Sequence, residues 1–134
     1  MSEIKVDTLT GKTSAGDITV TSEGGAATMQ LQQGLAKAWV NFNSLSTLSI
    51  TDSLNTSSVT DRGVGEHTHN FASSWSLVGY SMGGCGTSTY NYIFALDTSS
   101  VTPTTSYAGI ETRSGGFSSA DTNFGMFSYF GDLA

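Results

Sequence analysis

Glu66-His67-Thr68-His69-Asn70-Phe71 reads as a β-strand. In an extended chain His67 and His69 project to one face with Phe71 beyond them. Further candidate strands lie on both sides of it: Trp39–Phe42, Thr47–Thr51, Ser76–Met82, Tyr90–Leu96, Tyr107–Thr112 and Phe124–Phe130. The stretches Asn41–Ser44, Asp61–Gly65, Gly83–Thr89, Thr98–Ser106 and Ser114–Asn123 read as connections, most of them rich in Gly, Ser and Thr. Short strands at this spacing, with turn residues between them, predict a β-sandwich, here drawn as jelly-roll-like, over residues 39–134.

Residues 1–38 read differently. Ile4, Val6 and Leu9, then Ile18 and Val20, form short alternating runs broken at 11–16 and 23–25. Such strands bury no core alone, so this segment predicts a stem that needs a partner. Thr28–Ala38 is the one stretch with helical spacing: Leu31, Leu35 and Ala38 share a face. It predicts a short helix, and its narrow apolar stripe suits a self-associating coil. The expected whole is an all-β chain: a short stem and helix at 1–38, a sandwich head at 39–134, assembled as a homotrimer.

Composition narrows the function. Charged residues make up 12% of the chain, about half the usual share. Two Trp, five Tyr and seven Phe argue against disorder, which goes with few aromatics. Low charge suits subunits that cover one another's surfaces. The net charge is −6, and Lys5, Lys12, Lys37, Arg62 and Arg113 are scattered. No basic patch exists for a nucleic-acid backbone or an anionic membrane. The charged start at Met1–Asp7 has no apolar signal core, which predicts synthesis in a cytosol.

Catalytic motifs are not legible. No Gly-rich phosphate loop, nucleophile elbow or metalloprotease helix is present. Asp52, Asp61 and Glu66 read as solvated loop charges, and the lone Cys85 has no evident base. The expectation is a protein that is not an enzyme and holds no cofactor. His67 and His69 carry the one metal reading. Two imidazoles are too few for a closed site in a monomer. Around a threefold axis they would become six, which suits an octahedral late first-row metal. The plainer reading is a pair of ordinary strand histidines.

Ala38-Trp39-Val40-Asn41-Phe42-Asn43 carries a resemblance. With the opening Met1-Ser2-Glu3-Ile4-Lys5-Val6-Asp7-Thr8-Leu9, the segment from Ser53 to Gly65, the strand ending in Asn70-Phe71 and the close from Phe124 to Asp132, the chain resembles short tail-fibre-like proteins of marine tailed phages. That family usually has an aromatic and an aliphatic residue where this chain has His67 and His69. The resemblance implies a virion location, a trimeric β-structured fibre and recognition of a host-surface glycan or protein. It also implies attachment to other virion proteins through the N-terminal segment, and it implies no catalytic residues. A capsid decoration or head fibre is the alternative. The connections Gly83–Thr89, Thr98–Ser106 and Ser114–Asn123 are the expected binding loops.

Overall fold

A computed structural model describes residues 3–14, 17–87, 93–97 and 100–134. The chain divides into two compact units, Met1–Leu35 and Ala36–Ala134. In the first, β1 (Thr19–Thr21) pairs antiparallel with β2 (Thr28–Gln30). Asp17 Oδ1 accepts from Gln30 Nε2 beside this hairpin. Ile4, Val6 and Leu9 belong to no strand and are exposed.

The helix expected over Thr28–Ala38 does not form. Thr28–Gln30 is taken up by the hairpin, residues 31–35 make a turn, and Ala38 opens a strand. The physical reason is competition. A helix this short with Gly34 inside it is marginal, whereas pairing with Thr19–Thr21 and burial of Ala38 are both available.

The second unit holds two four-stranded antiparallel sheets. One runs β4 (Ser49–Leu54), β3 (Ala38–Asn43), β10 (Phe124–Phe130), β7 (Ser81–Thr87). The other runs β5 (Thr56–Gly63), β6 (Glu66–Phe71), β9 (Tyr107–Arg113), β8 (Ile93–Leu96). Their inner faces meet in one core. Val40, Phe42, Phe127 and Tyr129 come from the first sheet, and Val59, Phe71, Ala108 and Ile110 from the second. Each fully buried large side chain removes enough apolar area from water to contribute about 1.5–3 kcal/mol.

The layers are those of a sandwich, but the strand order is not that of a jelly roll. A jelly roll pairs its second strand with its seventh. Here the second strand of the unit, β4, is an edge strand on β3, while the seventh, β9, lies between β6 and β8. The chain instead changes sheets at Asn55, between β4 and β5. Asn55 adopts a left-handed φ of 51°, which Asn tolerates better than most residues. Its side chain pairs with the Ser73 backbone: Oδ1 accepts from Ser73 N at 2.5 Å, and Nδ2 donates to Ser73 O at 3.2 Å.

Two strands depart from the sequence reading. β5 falls on a stretch read partly as connection. It is an edge strand that buries only Val59, so it lacks a continuous apolar signal. β7 falls on Ser81–Thr87, where Met82-Gly83-Gly84-Cys85-Gly86 reads as a turn, and residues 76–80 lie outside any strand. Gly84 is there for space: a Cβ on it would stand 2.8 Å from the Phe127 ring on the neighbouring strand, whereas one on Gly83 would meet nothing within 4 Å. Glycine at 84 is therefore the partner that a large ring at 127 permits.

Candidate functional site

His67 and His69 point inward. Both rings are 0% exposed, enclosed between the two sheets of a single chain. The His67 ring meets Phe42 edge-on at 5.1 Å, and the His69 ring lies 4.9 Å from Phe71 and 5.0 Å from Tyr129. His69 Nε2 is 2.8 Å from Thr56 Oγ1, whose hydroxyl donates to Trp39 O at 3.0 Å. With that proton committed, Nε2 is assigned as the N–H donor to Thr56, and Nδ1 is the bare lone pair. Burial lowers the His69 pKa to about 4. Burial also lowers His67, Arg62 adds to this, and the carboxylates of Asp61 and Asp121 oppose it.

A metal at a molecular axis needs imidazoles on the surface of the subunit. These two are inside it, and among the described residues no group of three or more His, Cys, Asp or Glu is placed to hold an ion. Cys85 is an exposed free thiol on β7.

The two outer faces differ in chemistry. On the β4–β3–β10–β7 sheet, register places Leu54, Trp39, Met126 and Cys85, with Phe124 and Phe130, on the outward side. Leu54 and Phe124 are each 47% exposed. The glycines of β7 leave a shallow trough of about 510 Å³ beside Met126 and Phe130. The same register turns Asn41, Ser128 and the exposed Asp52 outward, so this face carries little charge and mixes apolar with polar side chains.

The outer face of the β5–β6–β9–β8 sheet is polar. Ser58 and Thr60 of β5 lie opposite Asn70 and Thr68 of β6. Asn70 Nδ2 donates to both hydroxyls, at 3.0 and 3.1 Å. Thr68, Asn70 and Tyr107 floor an open cleft of about 380 Å³, walled by Ser100, Val101 and Thr102.

The wall is anchored at both ends. The Asp97 carboxylate is 3% exposed; it takes an ion pair from Arg62 Nη2 at 2.5 Å and accepts from Ser100 N at 3.1 Å. Thr104 Oγ1 accepts from the backbone of Ser106 and Tyr107, and Thr104 N donates to Tyr107 O. Asp97 and Val101 come close to the sheet because residue 109 is glycine. A Cβ there would stand 2.5 Å from Asp97 O and 3.0 Å from Val101 Cβ.

Of the three connections expected to bind, Thr98–Ser106 supplies this wall, and Tyr107 follows it. Ser114–Asn123 is instead tied down by buried bonds between Thr122 and Ser44. Gly83–Thr89 is strand as far as Thr87, and its last two residues lie outside those described. The floor residues Thr68 and Asn70 were not singled out from the sequence. The signal was present, since strand alternation puts them on the face opposite the two buried histidines. Comparison with family models, with curated proteins and with solved structures returned no match to this chain.

Proposed function

We propose that this chain is a structural virion protein of a tailed phage, a homotrimeric tail-fibre or tail-tip component that meets the host surface by contact and not by catalysis. The observation that supports this reading best is the difference between the two sheet faces. A face that carries little charge and leaves Leu54, Phe124 and Phe130 in the open suits burial against another subunit. A polar face with an anchored, open cleft suits presentation to the outside. The unit 1 hairpin and the exposed Ile4, Val6 and Leu9 suit attachment to neighbouring virion proteins.

Two measurements test it together. Light scattering on the purified full chain is expected to give three times the chain mass. Phe130→Asp should reduce that to one, because it places a charge in an apolar contact that has no partner for it. The trimer is also expected to block adsorption of the phage to host cells. A folded monomer at all concentrations would remove the trimer. Density for this chain on the capsid of a reconstructed particle, with no block of adsorption, would favour a decoration protein instead.

A further inference from the structure

We propose that the cleft formed by Thr68, Asn70, Val101, Thr102 and Tyr107 binds an uncharged saccharide; this rests on the host-contact reading above and names the chemistry of its ligand. The first ground is unspent hydrogen-bonding capacity. Among the described residues, the hydroxyls of Thr68, Thr102 and Tyr107 have no hydrogen-bond partner, and neither does the side-chain carbonyl of Asn70. The Asn70 NH₂ group is already held by Ser58 and Thr60, so the amide plane is fixed and its oxygen is left as the acceptor. Hydroxyls donate or accept as needed, and an amide oxygen accepts from an O–H. Such a set matches the mixed donors and acceptors of sugar hydroxyls.

The second ground is the apolar part. Among the described residues, the half-buried Tyr107 ring contacts no other aromatic ring, and Val101 lines the cleft with it. Sugars present C–H faces that pack on aromatic and aliphatic surface while their hydroxyls are bonded elsewhere. The third ground is charge. The six described lining residues are all uncharged, and the chain carries −6 overall. A sialylated, sulfated or phosphorylated glycan would find no cation in the cleft and a repulsive field around it. The fourth is preorganisation. Asp97, Gly109 and Thr104 hold the wall in place without help from a ligand, so little ordering is lost on binding.

The test uses the full-length protein and a panel of immobilised neutral oligosaccharides built from glucose, galactose, mannose and N-acetylhexosamines, with sialylated and sulfated counterparts alongside. At least one neutral glycan is expected to bind, and its anionic counterpart to bind at least about tenfold more weakly. Thr102→Asp, at an exposed position that makes no internal hydrogen bond, should lose the neutral glycan by about tenfold or more while the melting temperature holds. Tyr107→Ala should do the same, with Tyr107→Phe recovering the stacking share. Binding to none of the neutral panel overturns the proposal, and so does binding that survives both Thr102→Asp and Tyr107→Ala. Adsorption assays separate this from the parent reading. A protein that blocks adsorption but binds no neutral glycan leaves host contact standing and removes the sugar. Glycan binding by a protein that never competes for host cells does the reverse.

Discussion

Lowering the pH from 7 to 4 is expected to cost this protein about 3 kcal/mol of folding stability through His69 alone, with a further loss through His67. The His69 ring is fully buried between Phe71 and Tyr129, and its pKa is lowered from 6.5 to about 4. Protonation would place a new N–H on Nδ1, which has no acceptor near it. The unfolded chain therefore takes up the proton first. This contribution is fully present above pH 6.5 and is lost as the pH falls from 6.5 through about 4. His67 acts in the same direction because burial also lowers its pKa, although Asp61 and Asp121 moderate it. Denaturant unfolding measured at pH 7, 5.5 and 4 gives the curve. His69→Gln keeps an N–H for Thr56 and cannot titrate, so it should flatten the slope over that range. An unchanged slope in His69→Gln would mean that the ring is not held neutral in the core.

Tyr129→Ala is expected to cost about 3–5 kcal/mol, the range for emptying an aromatic site in a packed core. Tyr129 is 0% exposed, and its ring centroid lies 5.0 Å from His69, 5.1 Å from Phe71, 5.8 Å from Tyr80 and 6.4 Å from Trp75. The neighbouring rings come from β6 and the 72–80 connection, so no single neighbour can move in to fill the space. Tyr129→Phe separates the ring from its hydroxyl. The hydroxyl has no protein group within hydrogen-bonding distance, and burial raises its pKa, with Tyr80 adding to the effect. Removing it should leave stability within about 1 kcal/mol of the parent or raise it, since a buried polar group without a partner costs free energy. Equilibrium unfolding of the two variants decides this. A large loss in Tyr129→Phe would show that the hydroxyl contributes a bond of its own.

Much of the architecture was legible in the residues. The all-β class followed from Thr, Ser and aromatic abundance with little Lys or Glu. Phe124–Phe130 was read with the bounds β10 has, and Tyr107–Thr112 falls one residue short of β9. Alternation at 66–71 determined that His67, His69 and Phe71 share one face and Thr68 and Asn70 the other, because strand side chains have a strict period of two. The same period could not say which face is the core. His67 and His69 read as polar or half-buried strand residues, and only the opposing sheet, with Phe42 and Tyr129 set against them, made theirs the buried side.

What tertiary structure decided has a common cause: free energies that arise between segments distant in sequence. Gly83 to Gly86 looks like a turn until Phe127 is laid beside it. Thr28–Ala38 keeps helical spacing, yet its first residues pair with Thr19–Thr21 and its last enters a core assembled with β10. Strand alternation and the Thr98–Ser106 connection pointed to parts of the cleft, but nothing in the sequence brings the parts together. The cleft's floor is Thr68, Asn70 and Tyr107, its wall is 100–102, and the wall rests on the missing side chain of Gly109 and on a carboxylate at 97 paired with Arg62. The residues themselves determined which side chains can alternate and where the chain can turn. Only packing decided which faces are sealed and which are left to meet something else, because burial belongs to pairs of surfaces and not to single strands.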